Sequence, residues 1–266
     1  MTSKASTRFE CVGQRGSNDP GQSEHEMILL GIDDTDIIDS PGTNQLCRHL
    51  IAVLQPVART QRIVRHQLLV DDRVPYTSQN GSASMWLEPH TSLSVAQLAE
   101  LLEPEVIAWS PEGSDPGLCI ALGEVSAAIR QYGRDCQTTL QIQQQVLELA
   151  AREGLYLQGL GGTRGGIIGA LAAVGLAADG NDGRLVYLQQ EEDAPLASGW
   201  HNFDELQPAG IDEVRCHTTG AQVNAGRIDI GKKLRPNLLN RRVVLFVEPA
   251  EESSDAGPCW RAVKVR

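Results

Sequence analysis

Hydrophobic and polar positions along this chain switch between two periods, and the switches divide it into strands and helices. Residues 27–32 form a continuous apolar run of strand length, and 63–70, 83–87, 118–122 and 184–188 read as further strands. Between them the period lengthens. Leu46, Leu50, Val53 and Leu54 recur at helical spacing from Thr43, which reads as an N-cap, to a stop near Pro56. Residues 94–102 predict a short amphipathic helix. Residues 139–153 predict the clearest one, with Ile142, Val146, Leu149 and Ala150 on one face. A compact apolar helix is predicted over 167–178, directly after a loop with four glycines at 161–166. Beyond Gln189 the pattern weakens, with strand-like runs only at 243–247 and 260–265. The predicted fold class is α/β (α+β), a mixed sheet with flanking helices. The expected division is a disordered tail over 1–26, a main domain over 27–190 and a smaller, β-rich C-terminal domain over 191–266.

Length and composition narrow the function classes. With 266 residues the chain supports one large or two modest domains, and 41% apolar and 21% charged residues are ordinary globular values. A formal charge of −11 argues against an open phosphate-binding surface, while leaving room for a small basic pocket. Aromatic residues make up only 4%, too few for large base-stacking platforms. Six dispersed cysteines contain no CxxC pair, which fits reduced thiols and gives no zinc-ribbon signature. No apolar run approaches the ~18 residues that span a bilayer. The expectation is a soluble, cytoplasmic protein with no membrane partner.

Chemistry concentrates where the first strand ends. Asp33, Asp34 and Asp36 place three carboxylates within four residues, where burial and mutual repulsion both oppose ionisation. A divalent cation such as Mg²⁺ relieves both, since it takes hard oxygen ligands. A turn or helix-capping cluster is the simpler alternative. The helix starting at Thr43 offers free amides and a partial positive charge to a phosphate. A second loop, Gly161, Gly162, Thr163, Arg164, Gly165 and Gly166, allows close backbone approach and an anion nest, with Arg164 as a charged fork. It is neither a P-loop nor a dinucleotide fingerprint. A third loop carries Tyr76, Thr77 and Asn80 as hydrogen-bonding groups. The basic run Lys232, Lys233 and Arg235 reads first as a solvated surface, with a local anion contact as the alternative.

Taken in order, these segments resemble a known family. They are the acidic run from Gly31 to Asp36 with the Thr43 helix start, Val74-Pro75-Tyr76 with Asn80-Gly81, Asp115-Pro116-Gly117, and the stretch from Gly165 to Gly175. Together they are similar to the kinase-like domain of the archaeal agmatinylcytidine synthetase family, which modifies an isoleucine tRNA. The resemblance implies use of ATP and Mg²⁺ and phosphorylation of an anticodon cytidine at the carbonyl carbon beside N3, followed by displacement with agmatine. It implies metal or catalytic roles for Asp33, Asp34 and Asp36, phosphate contacts from the Gly-rich loop, and a phosphorylated threonine matched by Thr43. This chain departs from the pattern at Gly42-Thr43-Asn44, where the family usually shows Cys-Thr-Thr. It also shows no evident OB-like segment or zinc ribbon. The expected activity is therefore an ATP- and Mg²⁺-dependent phosphotransferase or ligase-like activation of a small nucleoside-like or amine acceptor. The alternatives are a non-catalytic nucleotide-binding regulatory module, and tRNA cytidine modification with a separate RNA-binding subunit. Direct tRNA binding is not expected without that subunit.

Overall fold

A computed structural model of the chain describes residues 26–74, 79–193, 195–251 and 257–265. The expected disordered tail therefore lies, except for Glu26, outside the described residues. The first half begins β1 (Ile28–Asp33), α1 (Thr43–Leu54), β2 (Ala58–Gln67), β3 (Gly81–Pro89), α2 (Val95–Trp109) and β4 (Gly117–Leu122). It continues through α3 (Ala127–Asp135), α4 (Gln143–Arg152), β5 (Tyr156–Gly159), α5 (Ile167–Asp179) and β6 (Arg184–Leu188). Two short helices follow among strands: α6 (Gln189–Asp193), β7 (Trp200–Asn202), α7 (Phe203–Leu206) and β8 (Glu213–Cys216). The chain closes with β9 (Arg227–Asp229), β10 (Asn237–Leu239), β11 (Arg242–Pro249) and β12 (Cys259–Ala262).

One mixed sheet runs through all of this, in the order β5-β4-β1-β3-β2-β6-β10-β11-β12-β9-β7, with β8 pairing with β11. The pairs from β5 to β6 are antiparallel, and parallel pairing enters with β8 against β11 and β9 against β12. The expected α/β (α+β) class is the one observed. The β-rich part after residue 190 joins the sheet where Arg184 of β6 pairs with Asn237 of β10.

Why β1 lies inside the sheet, between β4 and β3, follows from its sequence. It is apolar on both faces, so it requires helices above and below. Alternation sends Ile28, Leu30 and Ile32 into a core with Leu46, Leu50 and Leu54 of α1 and Leu98 and Leu102 of α2. Leu29 points the other way, into a core with Ile129 of α3, Val146 of α4 and Leu171 and Val174 of α5. Helix α5 is buried around most of its circumference, as expected for a segment that is apolar on every side. A third core joins Val64 and Leu185 to Val214, Ile228, Val243 and Leu245 of the C-terminal strands.

Several boundaries shift from the sequence expectation. Helix α1 is capped by Gly42, which leaves Thr43 as its first helical residue rather than its cap. Helix α2 continues past Leu102 to Trp109 despite Pro104, and its N-terminus carries a capping box between Ser94 and Gln97. Helix α4 begins at Gln143, so residues 139–142 become a linker. Strand β5 and helix α3 are not legible in the hydrophobic pattern: β5 is four residues long, and α3 buries only Ile129, Tyr132 and Gly133. No described helix is long and apolar enough to cross a membrane.

The contact of β1 with α5 depends on Gly31, because a Cβ there would overlap the Ala170 carbonyl oxygen and crowd Val174. Gly31→Ala is expected to destabilise the fold by about 2 kcal/mol, the scale of overpacking a rigid core. Urea unfolding measures this, and an unchanged midpoint would contradict the packing described.

Candidate active site at the carboxylate cluster

The alternation that sends Leu29 and Gly31 toward α5 also sends Asp33 there. Its carboxyl lies against the backbone of α5 at Gly169, where a Cβ would collide with the carboxyl oxygen. The chain then turns sharply. Asp34 adopts a left-handed conformation with φ 55°, which Asp tolerates better than most residues, and its carbonyl accepts from the Asp115 amide at 3.1 Å. Asp36 folds back onto the start of α1, where the Thr43 hydroxyl donates to it at 3.4 Å. The buried Thr35 hydroxyl donates in turn to Thr43 at 3.1 Å. Acid loop and helix start are thus joined through hydroxyl groups.

A fourth carboxylate completes the cluster. Asp115, just before β4, accepts hydrogen bonds from the Thr163 amide and, at 2.6 Å, from the Thr163 hydroxyl. Its main-chain carbonyl accepts from the Gly166 amide at 2.9 Å. The Gly-rich loop is therefore wrapped around a carboxylate of the protein itself. Of its amides, Thr163 and Gly166 are taken by Asp115 and Arg164 by the Gly161 carbonyl. Arg164 sits at φ 66° with an exposed side chain.

These groups surround a cavity of about 290 Å³. Asp33, Asp34, Asp36 and Asp115 form one wall, with Thr163, Gly165 and Gly169 at the start of α5 as its base. Asn80, as expected, lines the cavity, and beside it stand Gln79 and Arg73. The third wall is the linker before α4, with Thr139, Leu140 and Gln141. Thr43, Gly161, Gly162, Arg164 and Gly166 do not line it: Thr43 reaches it through Asp36, the Gly166 amide holds the Asp115 carbonyl and Gly162 lies against the Asp115 carboxyl. Tyr76 lies outside the described residues. The sequence reading named Asp115 only within a motif and missed the linker wall, whose Gln and Thr residues carry no spacing signal.

A buried polar network braces that wall. His66 donates or accepts at 2.8 Å with both Asp182 and Ser84, and Gln137 donates to Asp182 at 2.8 Å and to the Gln67 carbonyl at 3.1 Å. The order Ser84, His66, Asp182 has the look of a nucleophilic triad. Ser84 and His66 are fully buried and outside the cavity, so the network is structural.

The electrostatics of the cluster are unfavourable as they stand. Burial raises the Asp33 pKa from 3.8 to about 8, with the Asp34 and Asp36 charges adding to it. Burial likewise raises Asp34 to about 6, reinforced by Asp115 and Asp36. Asp36 is raised by burial, less so because Thr43 donates to it. Acids held against their charged form call for a cation. Among the described residues no three His, Cys, Asp or Glu side chains are gathered tightly enough to cage a metal.

No protein-family model and no curated protein matches the chain at a significant level. Solved structures do. The fold resembles that in a crystal structure of TiaS in complex with an isoleucine tRNA and ATP, with a TM-score of 0.50 and 20% identity over 57% of this chain and 36% of that one. A crystal structure of a tRNA fluorescent labeling enzyme gives a TM-score of 0.49 and 21% identity, over 56% of this chain and 36% of that one. The chain spans about a third of the length of these proteins, and the likeness establishes a TiaS-like fold for the shared part.

The raised carboxyl pKa values set a pH dependence. An acid whose folded pKa lies above its unfolded value contributes stability that is complete below the unfolded pKa and is lost as pH rises through the folded one. For Asp33 the window runs from its ordinary 3.8 to about 8. The metal-free protein is expected to lose thermal stability across that window, and Asp33→Asn, which carries no charge, to lose less. Equal slopes for the two proteins in melting curves at stepped pH would refute the burial of Asp33.

Proposed function

We propose that the chain is an ATP- and Mg²⁺-dependent enzyme that activates its acceptor by phosphoryl transfer in the cavity at the end of β1. The observation that carries this reading is the convergence of Asp33, Asp34, Asp36 and Asp115 on one wall, at the start of α5. Asp33, Asp34 and Asp36 would hold Mg²⁺, which when bound neutralises phosphate oxygens. Their donor chemistry fits the ion, because its charge relieves the repulsion that raises their pKa values.

The remaining groups supply position. The start of α5 favours the negative end of a nucleotide, and Gly165 lets a phosphate approach the backbone there. Asn80, Gln79 and Arg73 line the same cavity, with Arg73 paired to Asp71 and the Asn80 amide donating to the Leu69 carbonyl. Asp115 fixes the loop through Thr163 rather than touching nucleotide through it. In this reading Thr43 orients Asp36. Accepting a phosphoryl group itself would require its hydroxyl to leave Asp36 and turn into the cavity.

For the acceptor, support lies with RNA: the protein of similar fold was crystallised with an isoleucine tRNA and ATP together. A small free nucleoside or amine, the acceptor expected from the sequence, gains no support from the comparisons. Agmatine as the displacing amine rests on the family resemblance alone.

The test is ATP turnover by the full chain with γ-labelled ATP, Mg²⁺ and bulk tRNA. Asp34→Asn is expected to lower turnover at least about a hundredfold, the scale for removing a charge-stabilising group, while still folding. Wild-type protein that binds Mg·ATP but yields neither released nor transferred label would leave a nucleotide-binding module instead. Wild-type protein that binds no nucleotide would overturn the reading.

A further inference from the structure

The basic segment near residue 233 does not lie alone on the surface. Lys232, Lys233, Arg235 and Lys264 line a second concavity of about 210 Å³ together with Ile230, Leu245, Ala262 and Val263. Four cations therefore converge on one concavity in a chain whose net charge is −11. Among the described residues, Lys232, Lys233 and Arg235 close no ion pair, and Glu191 senses Lys233 only at longer range.

Sheet register extends this group toward the first cavity. Arg65 of β2 is directly opposite Arg184 of β6, and Arg184 is opposite Asn237 of β10, two residues beyond Arg235. Directly opposed like charges destabilise a sheet. Arg184 is half-buried and makes no ion pair or side-chain hydrogen bond among the described residues. Its pKa is held below the usual arginine range by burial and then by Arg65 and Arg235. Arg65 in turn donates to Gln79 at 3.1 Å and lies against Gly81, both of which line the carboxylate cavity. Arginines on two neighbouring strands and just before a third span roughly 10 Å, which suits several phosphates in a row better than one.

We propose that Arg65, Arg184 and Arg235, together with the pocket lined by Lys232, Lys233 and Lys264, form a second binding site for clustered phosphates. The ligand is a polyphosphate or a phosphodiester backbone. Guanidinium forks bind phosphate oxygens in pairs. An anion here removes the repulsion that the sheet register imposes on Arg184. The site lies in the region where the C-terminal strands join the sheet, and it stands whether or not the first cavity transfers phosphate.

Two probes distinguish the sources: inorganic triphosphate and a labelled single-stranded oligouridylate. Each is titrated in EDTA, at low salt, into the full chain and into Lys233→Ala/Arg235→Ala. Both substituted residues are exposed, so folding should be retained and is checked by the melting temperature. The double variant is expected to bind at least about tenfold more weakly, with the log–log salt slope reduced by about two. Arg184→Gln should weaken binding similarly, and Arg184→Lys should restore most of it. Tight binding of triphosphate alone identifies a polyphosphate ligand, and tighter binding of RNA identifies a phosphodiester; either supports the site. If neither probe binds the wild type, or the double variant binds as the wild type does, the site is refuted. Asp34→Asn should leave this binding intact, which separates its failure from a failure of ATP turnover.

Discussion

The close approach of α5 to the end of β1 is the constraint on which the site depends. A helix can lie so near a strand only where side chains are absent at the contact, and Gly31 and Gly169 supply that absence. Gly31 seats the helix on the sheet, and two residues along the same face Asp33 reaches under Gly169. A carboxyl so placed is desolvated by burial. Its charge is opposed by burial while polar groups remain within reach, the condition under which a bound cation changes most.

From that contact the rest of the cluster follows. β1 pairs with β4 so that Asp33 is opposite Gly117, which places Asp115 beside Asp34. Asp115 then uses its carboxyl to hold the loop that leads into α5. The loop, the acids and the helix start are therefore one unit, and altering the loop moves a carboxylate. Charge sign also separates along the sheet. Acids gather at the end of β1, while arginines from β2 and β6 face one another where the C-terminal strands begin. An acidic chain that concentrates its cations this way has separated two electrostatic roles rather than averaged them.

Much of the N-terminal half was legible because each element carries a strong period. The apolar run of β1, the heptad-like spacing of α1 and the all-apolar α5 each satisfy a single physical requirement. Asp33, Asp34 and Asp36 announced themselves by crowding, and Asn80 by its place in a polar turn. Thr43 was placed one position away from its role, because Gly42 caps the helix without a side-chain bond. The Gly-rich loop was read as a cradle for external phosphate. Two of its amides, those of Thr163 and Gly166, are engaged by a distant aspartate, which no local pattern records.

The sequence by itself determined the class of fold, the alternation that turns Asp33 toward a helix, and the crowding of three acids at the end of one strand. Those properties follow from side-chain type and local spacing. Only the tertiary structure decided that Asp115 joins the acids, that the linker before α4 closes the cavity, and that Ser84, His66 and Asp182 form a hydrogen-bonded brace. It alone placed Arg65, Arg184 and Arg235 side by side. Each of these depends on strand register and on contacts between segments far apart in the chain, and charge placed by register leaves no trace in the period of a single segment.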